Sequence, residues 1–353
     1  MKFKANIFQN IYTSVLTIVL ATAGGWGMSL INAPLPWFFG SLFVIASANL
    51  FGWNVKSPRG MRQTGQIFIG ITIGLYFTPT VAEIVAYHLP WMLLAATVSI
   101  MLGGIGALIL VRIADVSLPT AVFGNVPGGM AEMLTLGDKF GAQAVPLTVC
   151  QLTRVTIVII LIPPALTFLG ETGTEIFIPF TPIVDPVGLP LLVGCSLFSS
   201  LILFFFNIPN CWMLGAAAFA SAITVFEISF SAMPRELLNV AQVFIGTALG
   251  ERFERRQMAS VPKVILGSTV TTAIMMVVSF FLAVLIADYT EIVTSAMIAA
   301  TAPGGLAEMS LTAAVLNLGV PLVTAYHIVR ILLITLFTLP AYRFVEKLLS
   351  LRS

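Results

Sequence analysis

Long apolar runs separated by short polar punctuation dominate the pattern along the chain. In the first half they cover about residues 10–31, 35–53, 62–78, 88–112 and 144–168. In the second they cover about 187–206, 211–229, 238–250, 262–286 and 320–342. A helix needs about 20 apolar residues to cross a bilayer, fewer when it is broken or tilted, so each run predicts a membrane helix. Two further stretches, about 117–136 and 293–314, are apolar but interrupted. Each carries the same heptapeptide, Pro127-Gly128-Gly129-Met130-Ala131-Glu132-Met133 and Pro303-Gly304-Gly305-Leu306-Ala307-Glu308-Met309. Proline removes a backbone donor and glycine tolerates unusual dihedrals, so a continuous helix is disfavoured there. Broken backbone at membrane depth survives where protein or a water-filled cavity surrounds it. The pattern predicts an all-α polytopic membrane protein with about ten transmembrane helices and two re-entrant or broken Pro-Gly-Gly hairpins.

The heptapeptides lie 303 − 127 = 176 residues apart, and the repeat extends well beyond them. Trp37 and Gly40 match Trp212 and Gly215 at a shift of 175. Gln66, Gly70 and Gly74 match Gln242, Gly246 and Gly250 at 176, as do Arg154 with Arg330 and Pro164 with Pro340. The chain therefore divides into an N-terminal membrane repeat (10–168), a connecting loop (169–186) and a C-terminal membrane repeat (187–343).

Lys and Arg collect on the cytoplasmic side, so they report the relative orientation of the halves. Fifteen remain when the intramembrane Arg154 and Arg330 are set aside. If each Pro-Gly-Gly stretch enters and leaves on one side, the repeats are inverted and fourteen of the fifteen fall inside, with Arg235 alone outside. If each stretch spans, the repeats are parallel and the division is ten to five. The inverted arrangement predicts an inner-membrane protein with both termini cytoplasmic and the loop of Glu171, Glu175 and Asp185 outside. Lys2, Lys4 and Ala21-Thr22-Ala23 have the look of a signal peptide. The equivalent apolar run at 187–206 instead makes the first segment part of the repeat.

Composition narrows the function. Hydrophobic residues make up 58% of the chain and charged residues 9%, against about 25% charged in soluble domains. Mean hydropathy is +1.02. A net charge of +2 gives no footprint for nucleic acid. Cys150, Cys195 and Cys211 lack metal-ligand spacing, as do the two histidines, His88 and His327. No nucleotide loop or nucleophile motif stands out, so neither a catalytic site nor a cofactor is expected.

The candidate chemistry sits at the interruptions. A helix starting after each Pro-Gly-Gly presents unpaired amides and the positive end of its dipole, which suit an anionic ligand. Pro127, Gly128, Gly129, Pro303, Gly304 and Gly305 are thus candidate solute-binding positions, with Asn125 and Thr301 just ahead of them. Glu132 and Glu308 fall in the first turn of those helices. They read either as dipole compensation or as groups coupling movement to H⁺ or Na⁺. Arg154 and Arg330 lie deep in apolar runs and need partners. Glu132 and Glu308 are the first candidates, and the alternative is a fork for a solute carboxylate. Gln151 and Thr153 stand near Arg154 where Tyr326 and His327 stand near Arg330, so the symmetry breaks there. Gln66 and Gln242 precede Gly-x-x-x-Gly spacings that read as close helix packing. The glutamines themselves are candidates for hydrogen bonds to the broken backbone.

The doubled Pro-Gly-Gly-(Met/Leu)-Ala-Glu-Met, with Gln-x-x-x-Gly-x-x-x-Gly upstream of each copy, resembles the AbrB family of bacterial membrane proteins over about residues 30–343. The family's name is shared with a small soluble DNA-binding regulator, which this chain does not resemble. The resemblance implies a duplicated membrane protein of the kind described as an AbrB family transporter, and it supplies no catalytic residues. The expectation is a secondary transporter for a small anionic or zwitterionic solute, working by alternating access and coupled to H⁺ or Na⁺. Its partners would be the solute, the ion, membrane lipid and a second copy in a homodimer. One family member is named as a regulator of a damage-inducible gene. The alternative is therefore a membrane-embedded regulatory or scaffold protein that affects gene expression without transport.

Overall fold

The computed structural model describes residues 2–53, 55–169, 183–228 and 230–350. Glu171 and Glu175 of the expected outer loop lie outside the described residues. Among the described residues there are sixteen α-helices and no strand. The N-terminal repeat contributes α1 (Lys2–Leu30), α2 (Pro36–Leu50), α3 (Met61–Leu75), α4 (Pro79–Tyr87), α5 (Leu89–Ala114), α6 (Leu118–Asn125), α7 (Met130–Lys139) and α8 (Ala144–Leu169). The C-terminal repeat contributes α9 (Gly188–Phe205), α10 (Cys211–Val225), α11 (Arg235–Gly250), α12 (Arg255–Ser260), α13 (Pro262–Thr290), α14 (Thr294–Thr301), α15 (Leu306–Leu316) and α16 (Val320–Ser350).

Each of the ten apolar runs forms a helix. Six of these are long and apolar enough to cross a membrane, in α1, α5, α8, α9, α13 and α16. A seventh crossing is possible by length if α3 and α4, bent by 95° at their junction, act together. The chain is an all-α polytopic membrane protein. Its buried hydroxyls obey the rule that polar groups in an apolar medium find partners locally. Thr72 donates to the Phe68 carbonyl, Ser200 to that of Ser196 and Thr224 to that of Ala220, each at 2.8 Å.

The chain folds into two compact units, and each takes part of both repeats. The first comprises the described residues of 1–79 and 178–257, hence α1–α3 with α9–α11. Its glycines allow helices of different repeats to touch. A methyl group on Gly70 of α3 would overlap the Met213 carbonyl of α10, and one on Gly74 would lie 2.7 Å from the Ala217 oxygen. Gly246 and Gly250 of α11 make the matching approach to the Phe38 and Leu42 carbonyls of α2. The close-packing reading of the Gly-x-x-x-Gly spacing is therefore correct, and the partner is always the other repeat. Apolar side chains fill in around these contacts, with Ile67, Ile71, Leu192, Ala216 and Ile223 in one cluster and Ala21, Ile45, Met61 and Val243 in another.

One end of this unit carries a polar knot. Asn49 accepts from the Val55 amide at 2.6 Å and donates to the Glu251 carbonyl at 3.4 Å, while the Ser57 amide donates to the Glu251 carboxylate. Burial raises the Glu251 carboxyl above its ordinary range, against the opposing pull of the Ser57 hydrogen bonds and of Lys56 and Arg252.

The second unit comprises the described residues of 80–177 and 258–353, with α5–α8 and α13–α16 as its main helices. Its pairings recur when the repeats are exchanged. α5 packs on α6 and α16, as α13 packs on α14 and α8. α6 packs on α8, as α14 packs on α16. Phe123, Val126, Met133 and Leu147 of one repeat bury against Ile334 and Tyr342 of the other.

Candidate functional site

Both interruptions lie in the second unit and have the same shape. α6 ends at Asn125, an extended segment follows, and α7 starts at Met130. α14 ends at Thr301 and α15 starts at Leu306. Helices therefore begin directly after each Pro-Gly-Gly, as the sequence predicts. Val126 (φ −62°, ψ 125°) and Gly129 (φ −66°, ψ 132°) are matched by Ala302 (φ −52°, ψ 138°) and Gly305 (φ −79°, ψ 151°). These dihedrals are open to any residue, so the repeated glycines are not explained by unusual backbone angles. Close approach explains it. A methyl on Gly128 would meet the Met133 side chain at 2.8 Å and Ile334 of α16 at 3.1 Å. One on Gly304 would meet Met309 at 2.8 Å and Val158 of α8 at 3.1 Å. Gly129 and Gly305 face the carboxylates of Glu132 and Glu308, which fold back into the space a side chain would fill. Both glutamates thus lie at the positive end of their own helix dipole.

A helix that stops inside a protein leaves its last carbonyls without partners. Here the buried arginines fill that need. Arg154 Nη1 donates to the Asn125 and Val126 oxygens, both at 3.1 Å, and Nη2 donates to Gln151 Oε1 at 2.7 Å. Gln151 Nε2 in turn donates to the Phe123 and Val126 carbonyls at 2.8 and 3.0 Å. In the second repeat Arg330 donates from Nη1 to the Ala302 oxygen and from Nη2 to that of Gly304. His327 Nε2 bonds the Ala299 carbonyl at 3.1 Å. This corrects the expectation that Glu132 and Glu308 pair with the arginines. The carbonyl ends of the half-helices, which carry the negative pole of the dipole, take their place.

The two breaks converge. Each is gripped by its own repeat's arginine and packed by the other repeat's Val158 or Ile334, one helical turn beyond that repeat's arginine. The charges of Arg154 and Arg330 act on one another. Both residues are buried, 3% and 4% exposed, and each has an Nε–H with no protein partner. Tyr326 Oη, Thr153 Oγ1 and His327 Nδ1 are likewise buried without a partner. A guanidinium has five N–H donors, and the bonds above engage three of them in Arg154 and two in Arg330. Among the described residues no group of three or more His, Cys, Asp or Glu is placed to hold a metal ion.

Asn125 and Thr301 bond intact helix rather than broken backbone. Asn125 Nδ2 donates to the Ala121 carbonyl at 3.1 Å and its Oδ1 accepts from Thr271 at 2.7 Å. Thr301 donates to the Met297 and Ser279 carbonyls at 3.0 and 3.1 Å. Thr271 and Ser279 both belong to α13, and sequence reasoning missed them because neither has a matching residue in the repeat. Val158 and Ile334 were also missed, although their spacing of 334 − 158 = 176 marks them. Gln66 and Gln242 belong to the first unit, buried on α3 and α11, where Gln242 donates to Asn239 at 3.2 Å.

A family model described as "Transition state regulatory protein AbrB" matches residues 37–346. Two relatives match nearly end to end. One is the "Uncharacterized protein YhjN" of Bacillus subtilis (strain 168), 23% identical, covering 96% of this chain and 95% of its own length. The other is the "Putative regulator AbrB" of Escherichia coli (strain K12), also 23% identical, covering 96% and 97%. No solved structure matches. With most of its length matched, including both interruptions and both arginines, the chain belongs to the AbrB family.

Proposed function

We propose that this protein is a secondary transporter that moves a small anionic or zwitterionic solute by alternating access. The observation that carries this reading is the pair of converging helix breaks, each held by a buried arginine with an unpartnered Nε–H. Such groups are costly in an apolar interior unless something binds them. Two helix N-termini and two guanidiniums supply the positive potential that a carboxylate would complement. The recurrence of the main helix pairings when the repeats are exchanged supports two equivalent halves, and the Lys and Arg count supports their inversion with the breaks entering as re-entrant hairpins. The Lys and Arg distribution supports an inner-membrane location with cytoplasmic termini. Coupling to H⁺ or Na⁺ supplies the driving force, and no cofactor or catalytic step enters.

The test is uptake into proteoliposomes of acetate, lactate, succinate and glycine, under an imposed H⁺ or Na⁺ gradient. Concentrative uptake of one of them, lost at least tenfold in Arg330→Lys, is the expected result. No uptake of any, with wild type and variant melting alike in their presence, would overturn the reading. The regulator in the relative's name and the family's description favour a second reading, a membrane-embedded regulatory protein. That outcome would direct the search to a protein partner.

A further inference from the structure

The two cradles differ at one atom. A carbonyl oxygen only accepts, so His327 Nε2 carries the proton in its bond to Ala299, and Nδ1 presents a bare lone pair. The residue 176 positions earlier is Gln151, which donates to Phe123, the counterpart of Ala299. In the first repeat the acceptor of that side chain is filled, since Arg154 Nη2 donates to Gln151 Oε1. In the second repeat Arg330 turns both terminal nitrogens to backbone carbonyls, and His327 Nδ1 is left buried and unfilled. Buried acceptors without partners are rare and call for an explanation, such as a ligand or a proton.

Resting on the transporter reading, we infer that His327 is the proton site, taking up one proton at Nδ1 with each small carboxylate that seats at Arg330. The charges facing His327 require the two to arrive together. α16 itself brings Arg330 and Tyr326, and Arg154 of α8 adds its charge to Arg330. α5 brings His88 at its N-terminus, 6.5 Å ring to ring from Tyr326, while Arg112 stands in its last turn, at the opposite end of that 26-residue helix. α14 has no titratable side chain, and α15 has Glu308, folded over Gly305. An imidazolium beside the Arg330 guanidinium in an apolar interior is unfavourable alone. A seated carboxylate offsets that charge, and the protonated Nδ1 offers it a further charge-assisted hydrogen bond. The bookkeeping is one anion at Arg330 and one proton on His327, so each cycle carries no net charge.

The test uses the full chain in detergent, weakly buffered near neutral pH, with sodium acetate and sodium lactate as probes. Melting temperature reports binding and a pH dye reports protons. The wild type and His88→Gln are expected to take up one proton per carboxylate bound. His327→Gln copies the first repeat's Gln151. It is expected to keep the carboxylate-dependent rise in melting temperature and to lose at least nine-tenths of the proton uptake. Should that variant not fold, nitrogen NMR of wild type labelled at its two histidines reads the same event. Acetate or lactate should turn the His327 signal from neutral imidazole to imidazolium. Carboxylate binding without proton uptake, undiminished uptake in His327→Gln, or a His327 signal that stays neutral would overturn the inference and leave the solute site standing. Neither binding nor uptake would overturn both.

Discussion

Arg154 holds the first break through two backbone oxygens and a glutamine that itself grips two carbonyls, while Arg330 holds the second through two backbone oxygens beside a histidine with an idle nitrogen. The backbone problem is the same in both places, because each half-helix ends inside the protein and exposes carbonyls. The solutions share an arginine at the same repeat position and differ in the residue three positions before it. The first cradle is the more fully bonded, although its arginine also keeps an unpartnered Nε–H. The second keeps spare donors and an acceptor. Duplication supplies two equal sockets, and one substitution is enough to make one structural and the other receptive.

The largest effect should come from removing the arginines. Arg154→Ala leaves the Asn125 carbonyl and the Gln151 oxygen bare and removes one of the donors to the Val126 carbonyl, and bonds to a charged group contribute about 1.5–3 kcal/mol each. A loss of about 3–5 kcal/mol in chemical or thermal melts is expected, with Arg330→Ala somewhat smaller, since fewer of its donors are engaged. Equal losses would erase the distinction between the cradles. Next, Gln151→Leu should cost about 2–3 kcal/mol and His327→Leu only about 1, because the glutamine makes three bonds and the histidine one. Gly129→Ala and Gly305→Ala should each cost about 0.5–1 kcal/mol by pushing Glu132 or Glu308 off its helix terminus. Glu132→Gln and Glu308→Gln backgrounds should remove most of that penalty in the same melts.

The smallest effect concerns Glu251 in the other unit. Its folded carboxyl is raised, so protonation favours the fold. That contribution is present below the ordinary carboxylate range and is lost as pH rises through the raised value. Glu251→Gln should therefore melt slightly higher than wild type at neutral pH, with the gap closing on acidification. A gap that widens towards acid would reverse the assignment.

Much of this was legible in the sequence because it is local. Pro127 and Pro303 mark where helix cannot continue, and the spacing of Gly70 with Gly74 marks a face that must pack closely. Arg154 and Arg330 declare a buried need by their depth in apolar runs. What they bind was not legible. A carbonyl is common to every residue, so no side chain announced Asn125 or Ala302 as a partner, and the two glutamates were the visible alternatives. α4 escaped as well, its nine residues following α3 after a bend of 95°. Nor did the repeat predict the compact units. Their contacts join residues such as Gly70 and Met213, 213 − 70 = 143 positions apart, and no local pattern encodes such a pair.

That interleaving bears on how the protein is made. Gly70 and Gly74 of α3 find their carbonyl neighbours on α10. Chains grow at roughly 5–20 residues per second, so α3 emerges about 7–30 seconds before its partner exists. Throughout that interval its groove is open to lipid or to any other small-residue helix in the membrane. Neither unit can close before the second repeat has been inserted. The nascent first half must persist with its cross-repeat faces uncovered, and a break in synthesis near residue 180 would leave both units half built.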